Sequence, residues 1–250
     1  MELTLSPEFG WLVAVGFIAQ LIDGSIGMGY GITASAFLAT LGVPPALTSA
    51  TVHAAEIATT GVSSASHAWF RNLDRKIFFS LLIPGVLGGI VGASLLASVP
   101  ADAIRPFVWT YLLIVSIFVI AKVVLNRPPV AVGTPGPALG VTAGFLDAIG
   151  GGGWGTFTTS TMVARGVPPR YAIGTSHAVE FFVTVAVSVT LWYKLGELRY
   201  DLILALIIGG AIAAPLAAWL IRYVPRRAAA MAVGLAVFAL GVTGLYNSLT

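Results

Sequence analysis

Long runs of Leu, Ala, Val and Ile follow one another along this chain without two-residue alternation, separated by short stretches rich in glycine, proline and charge. Six runs, at about 46–69, 76–98, 103–125, 170–193, 200–221 and 228–248, reach the roughly 20 residues that a spanning helix needs. Two further regions hold pairs of short apolar pieces instead. The first pair is predicted at about 9–22 and 32–41, around a glycine-rich break at 23–31. The second lies at about 138–147 and 156–165. Each pair is either one broken crossing or a re-entrant hairpin that turns back at its glycines.

The pattern repeats. Asp23 recurs as Asp147, Gly27 as Gly151, Gly29 as Gly153 and Gly31 as Gly155, each 124 positions on. Gly42-Val43-Pro44-Pro45 recurs as Gly166-Val167-Pro168-Pro169, and Thr51, His53, Ala54 and Glu56 as Thr175, His177, Ala178 and Glu180. Shifted by one residue, Gly85 matches Gly210 and Pro100 matches Pro225. A doubled proline and a His-x-x-Glu in register are more than a glycine-rich chain supplies by chance, and self-similarity at a fixed period is the mark of a repeated structural unit. The expected organisation is a first membrane repeat at 1–125, a linker at 126–137 with four prolines and two glycines, and a second repeat at 138–250.

Composition fixes the solvent. Of 250 residues 57% are hydrophobic and 9% charged, against about 25% charged in a soluble domain, and mean hydropathy is +0.94. In lipid the backbone must satisfy its own hydrogen bonds, which leaves helices or a closed barrel; runs without alternation select helices. The fold class is an all-α, multi-pass protein of the cell (plasma or inner) membrane. With no cysteine there are no disulfides or thiolate metal sites. No basic residue precedes the first apolar run, which argues against a cleaved signal peptide. Nothing clusters the net charge of +3 on a nucleic-acid-binding face. A homo-oligomer is neither required nor excluded.

Charge also orients the chain. If the short pieces are hairpins, each repeat crosses three times and the second is inverted relative to the first. One face then collects Arg71, Arg75, Lys76, Lys122, Arg127, Arg165, Arg170, Arg222, Arg226 and Arg227, ten of the 13 basic residues, leaving Arg105, Lys194 and Arg199 opposite. Cytoplasmic loops carry such an excess. Counting each pair as a single crossing gives an uninformative 7 against 6. The expectation is six crossings, two hairpins and both termini outside, the architecture of inverted-repeat secondary transporters with a midplane site. Trp11, Trp69, Trp109, Trp192, Tyr193 and Trp219 fall mostly near segment ends, as an interfacial belt would.

The chemistry concentrates at the breaks, Asp23-Gly24-Ser25-Ile26-Gly27-Met28-Gly29-Tyr30-Gly31 and Asp147-Ala148-Ile149-Gly150-Gly151-Gly152-Gly153-Trp154-Gly155. A half-helix starting there offers unpaired N–H groups and a positive dipole end, an anion site without a basic side chain. The competing reading is close helix packing by small residues. Ser25, Thr33, Thr156, Thr158 and Thr159 add hydroxyls, and Trp154 can wall the pocket. His53 with Glu56, and His177 with Glu180, share a helix face at a spacing of three. From a helix start near 46, Glu56 lies about 15 Å deep, near the midplane of a core about 30 Å thick, where an ionisable group is a functional candidate. Proton coupling or gating by Asp23, His53, Glu56, Asp147, His177 and Glu180 is one reading. A structural His–Glu pair is another, and a metal site a third, although its usual Glu-x-x-His order is reversed here. No phosphate-binding loop, nucleophile–base pair or cofactor motif is evident, so neither an enzyme nor a cofactor is expected.

These residues resemble the sulfite exporter TauE/SafE family of membrane permeases. The likeness rests on Gly144-Phe145-Leu146-Asp147 with Gly151, Gly153 and Gly155, on Gly-Val-Pro-Pro in both copies, and on the Thr-x-His that follows at Thr51 and Thr175. In copy one, Gln20 and Met28 stand where copy two has Gly144 and Gly152. The resemblance implies a permease or exporter of a small sulfur-containing anion, sulfite or an organosulfonate. The anion would be held by Ser25, Gly27, Gly29, Tyr30, Gly31, Thr51, Gly151, Gly152, Gly153, Trp154, Gly155, Thr156 and Thr175. The alternative is a transporter of a metal or other cation bound by the intramembrane Asp, Glu and His side chains.

Overall fold

The structure is a computed structural model that describes residues 8–125, 135–196, 198–220 and 226–249, without the side chains of 24–26, 214, 215, 217–220, 226 and 229. Most of the expected 126–137 linker, with Arg127, therefore lies outside the described residues, as do Arg222 and the side chains of Ser25, Trp219 and Arg226. The described chain is helical throughout: α1 Phe9–Ile26, α2 Tyr30–Thr40, α3 Pro45–Trp69, α4 Arg75–Ser98, α5 Ala101–Leu125, α6 Pro137–Gly150, α7 Trp154–Ala164, α8 Pro169–Leu195, α9 Tyr200–Leu220 and α10 Arg226–Leu249. The first five and the last five follow the same order of long and short. The 11 residues of α2 and of α7 extend about 16 Å at 1.5 Å each, half a bilayer core.

Backbone chemistry sets the joints. Gly42 (φ 78°) and Gly166 (φ 84°) stop α2 and α7 in the left-handed region. Pro44 and Pro168 are extended, and Pro45 and Pro169 occupy the first turns of α3 and α8, where a missing N–H costs nothing. The repeated Gly-Val-Pro-Pro is thus a helix stop followed by a helix start. The breaks are narrower than the sequence suggests. Helix α1 continues through Ile26 and α6 through Gly150, leaving only 27–29 and 151–153 outside helices. Glycine permits departure from a helix without compelling it.

By length and composition, α4, α5, α8 and residues Ala230–Leu249 of α10 are apolar enough to cross a membrane. The other two expected crossings are α3 and α9. Helix α3 has 25 residues, but its threonines, serines, His53 and Glu56 lower its hydropathy. They are tolerable because α3 packs against α8 in the interior rather than against lipid. Helix α9 is described with its side chains as an apolar stretch only over Tyr200–Ala213.

Packing crosses between the halves. Helix α1 lies on α9 and α6 on α4, α3 on α8 and α5 on α10. Small residues set the spacing: a Cβ on Gly16 would lie 2.6 Å from the Leu206 carbonyl oxygen, and one on Gly140 2.9 Å from that of Leu81. Gly144 meets the Gly85 carbonyl more closely still. Gly144→Ala should force α4 and α6 apart at a cost of about 1–3 kcal/mol, read as a lowered melting temperature in detergent; an unchanged transition would remove close backbone packing as the reason for this glycine. Exposed Phe79, Ile83, Leu87, Phe107, Ile114 and Val189 form the outer apolar surface. Trp11, Trp69, Trp192 and Tyr193 are exposed, as a belt requires, but Trp109 is not: it is 6% exposed, with Gly244 of α10 against its ring.

Candidate functional site

The two breaks have nearly the same backbone. Gly27 (φ 75°) and Gly151 (φ 71°) close α1 and α6, each sending its N–H back to the carbonyl of Asp23 or Asp147. Gly29 (φ 117°) and Gly153 (φ 133°) precede the first residues of α2 and α7, in a region that side chains disfavour. They also touch. A Cβ on Gly31 would lie 2.5 Å from Gly152 Cα, and one on Gly155 would lie 2.9 Å from the Gly27 carbonyl oxygen. Gly31 and Gly155 are equivalent positions, so each half-helix begins against the other half's break. Ser35 of α2 donates to the Gly151 carbonyl across this contact.

The first N–H of each half-helix is already occupied. Trp154 N–H donates to Asp147 Oδ1 at 2.8 Å, Tyr30 N–H to the Asp23 carboxylate, and Gly155 N–H to the Glu180 carboxylate. The chain's own carboxylates therefore sit where a bound anion was expected. Asp147 also meets His53 of the other half: Nε2 to Oδ2 is 3.0 Å, with both side chains fully buried. His53 Nδ1 lies 2.8 Å from the Ser49 carbonyl, which can only accept, so Nδ1 carries a hydrogen. The bond from Nε2 to Asp147 then requires one more proton, shared by the pair. Ser49 Oγ donates to the Ala148 carbonyl at 2.6 Å, tying α3 to α6.

The equivalent pair in the other direction is open. His177 Nε2 stands 3.8 Å from Asp23 Oδ2, beyond hydrogen-bond range, and has no hydrogen-bond partner. Its Nδ1 meets Ser63 Oγ of α3 at 2.5 Å. The two glutamates lie between these pairs: Glu56 is in contact range of Gly31 and within electrostatic reach of Glu180, Asp147 and Asp23. Its Oε2 has no partner. Four carboxylates and two imidazoles from α1, α3, α6 and α8 thus converge where the breaks meet.

Comparison with known proteins decides the family. The family model described as sulfite exporter TauE/SafE matches residues 12–244. The chain belongs to the sulfite exporter TauE/SafE family. It is similar to the probable membrane transporter protein YtnM of Bacillus subtilis (strain 168), with 38% identity over 218 residues, 83% of this chain and 73% of that protein. No solved structure matches it. A multi-pass membrane transporter is therefore the coarse description of this TauE/SafE chain.

The remaining candidates divide by position. Trp154 is fully buried and walls the centre: its indole donates to the Ser176 carbonyl at 3.2 Å, and its ring fills the space left by Gly85. Tyr30, its counterpart, donates to the Leu206 carbonyl at 3.3 Å beside Gly210. The shifted match of Gly85 with Gly210 does not carry the same packing: a Cβ on Gly85 would lie 2.7 Å from the Trp154 ring, whereas one on Gly210 would lie 3.0 Å from the Thr59 methyl and 3.8 Å from Tyr30. Thr33, Thr51, Thr156 and Thr159 keep buried hydroxyls without partners, whereas Thr158 bonds Trp154 O and Ser176 Oγ. Thr175 accepts from the Asp74 N–H at 2.9 Å, anchoring the start of α4. Among the described residues no group of three or more His, Asp or Glu is arranged to hold a metal.

Several contributors escape sequence reasoning. Tyr111 of α5 donates to the Gly152 carbonyl at 2.9 Å, and its ring occupies the space beside Gly150 and Gly153. The four-glycine run of copy two thereby has its reason. The residue 124 positions after Tyr111 is Leu235, which is 53% exposed, and copy one lacks that run. Ser35, Ser49 and Ser63 carried no repeat signal because their counterparts are Thr159, Ile173 and Val187.

Proposed function

We propose that this transporter is a secondary carrier of a small sulfur-containing oxyanion, sulfite or an organosulfonate, whose passage is coupled to protons. Its two halves lie inverted, each a re-entrant pair plus three crossings, and the anion rests between the starts of α2 and α7. The observation that carries this reading is the backbone contact of the two breaks, Gly31 on Gly152 and Gly155 on Gly27. It brings two positive helix ends to one place, an anion-binding arrangement. Unpartnered Thr51, Thr156 and Thr159 hydroxyls supply further donors. The reciprocal packing of α1 on α9 and α6 on α4 supports two symmetric halves, and an odd number of crossings in each makes them antiparallel.

Coupling follows from electrostatics. An anion among Asp23, Glu56, Asp147 and Glu180 is repelled by each one that is ionised, and low polarity strengthens the repulsion. Protons and anion therefore bind together. In proteoliposomes, uptake of a labelled sulfonate, itself charged throughout, should accelerate as pH falls; flux that declines toward acid would contradict the anion reading. Glu56→Gln should spare equilibrium sulfonate exchange while abolishing pH-driven flux; unchanged driven flux would remove Glu56 from the coupling.

A second reading, a cation carrier, is favoured by one feature: the chain's own carboxylates already occupy the Tyr30, Trp154 and Gly155 N–H groups. It predicts the opposite pH sign, since protons would then compete with the cargo.

A further inference from the structure

The two Asp–His pairs are equivalent in sequence but not in structure. His53 is held on both nitrogens, by the Ser49 carbonyl at 2.8 Å and by Asp147 at 3.0 Å. No proton can leave this closed pair without breaking a buried bond. His177 is held on one nitrogen only. Its partner there, Ser63 Oγ at 2.5 Å, is a hydroxyl that can donate or accept, so either tautomer and the imidazolium are accommodated by rotating one O–H. Nε2 can take a proton with no bond to break and with Asp23 Oδ2 waiting 3.8 Å away.

The residues behind the pairs differ too. Position 173, equivalent to Ser49, is an isoleucine packed on Gly27. On the face of α3 turned toward His177 stand Ser63 and, one turn further, His67, whose ring meets His177 edge-on with centroids 5.9 Å apart. His67 Nδ1 lies 3.4 Å from Asn72 Nδ2 in the 70–74 turn, and the ring is half-buried. The equivalents of Ser63 and His67 are Val187 and Leu191, both fully buried. A polar line therefore leads from the centre to one membrane face, the one bearing Arg71, Arg75 and Lys76, and apolar side chains stand at the equivalent positions of the other half.

We propose that His177 with Asp23 is the pair that exchanges a proton in each transport cycle, with Ser63 and His67 as its route to the 70–76 face, while His53–Asp147 keeps its proton as a structural bond. A proton passes from solvent to His67 and through the Ser63 hydroxyl to His177 Nδ1, and the hydrogen on Nε2 is then shared with Asp23 Oδ2, giving the first pair the closed geometry the second already has. Asp23 of α1 and His67 of α3 face His177 directly; the other charged and titratable groups on α8 and on the helices packed against it are His53 and Glu56 on α3, Arg75 and Lys76 at the start of α4, and Arg170, Tyr171, Glu180 and Lys194 on α8 itself.

This rests on the proton-coupled reading above, but its test needs no substrate. The chain has three histidines, so NMR of imidazole-labelled protein in detergent yields three side-chain signals, assigned by single substitutions. On acidification the His177 and His67 signals should titrate and the His53 signal should not. His67→Leu, which copies Leu191, should leave the His53 signal in place and slow proton exchange at His177, read as altered exchange broadening of its signal through the titration, with His67→Gln as the milder substitute if leucine impairs folding. A titrating His53, or a His177 signal indifferent to pH or to both His67 substitutions, would overturn the proposal. In proteoliposomes His67→Leu should cut pH-driven sulfonate flux at least roughly tenfold, as loss of a proton relay does, and spare sulfonate exchange. A wild type that moves no sulfonate while its histidines divide as stated would sink the substrate reading and leave the proton route standing.

Discussion

Asp147→Ala is expected to destabilise the protein by about 3–5 kcal/mol, the usual cost of removing one partner from a buried pair. The carboxylate answers His53 Nε2 at 3.0 Å and the Trp154 N–H at 2.8 Å, in a site with no exposure to solvent. Its loss strands an imidazole and a helix-start donor together and leaves the Ser49–Ala148 hydrogen bond to hold α3 against α6. Asp147→Asn should cost less, since an amide can still accept from Trp154 and donate to a neutral imidazole. Asp23→Ala should also cost less than Asp147→Ala, because it loses the Tyr30 N–H bond alone and its histidine already stands 3.8 Å off. Thermal unfolding in detergent measures the order. Equal losses for Asp23→Ala and Asp147→Ala would mean that the open and closed pairs do not differ in strength.

Gly152→Ala should be nearly as damaging, for a backbone reason. At φ 137° a side chain costs roughly 1–3 kcal/mol in strain. The added Cβ would also lie 3.0 Å from Ile32 N and nearer still to Gly31, so the breaks must separate at a further cost of about 1–3 kcal/mol. Met28, at the equivalent place, is not in the left-handed region, so the halves are not interchangeable here. The expected result is a lowered melting temperature together with lost flux. Normal flux in Gly152→Ala would show that break-to-break contact is dispensable.

Much of this was legible in the residues because it is local. Gly42-Val43-Pro44-Pro45 and its copy are helix stops and starts wherever they occur, and apolar runs of spanning length need no tertiary information. The 124-residue register pairs Gly27 with Gly151 and Gly29 with Gly153, and the members of each pair have similar backbone conformations. What failed was partner choice. Spacing put His53 beside Glu56 on one helix face, yet its hydrogen bond is to Asp147 of the other half, 94 positions away. Helix N-termini were read as vacant donors although Asp23 and Asp147 stand seven residues earlier and fold back on them. Tyr111, Ser63 and His67 have no like counterpart one repeat away, and a search for symmetry passes over residues that make the two halves differ.

Inversion of the halves is the claim on which the central site depends, and the cysteine-free sequence allows it to be tested directly. Thr40 and Ala164 end α2 and α7 at equivalent positions, and both are exposed. In intact cells, an impermeant maleimide should modify the Thr40→Cys protein, and the Ala164→Cys protein should react only after the cells are opened. Modification of both from the same side would place the two halves in parallel and separate the breaks that this site requires to meet.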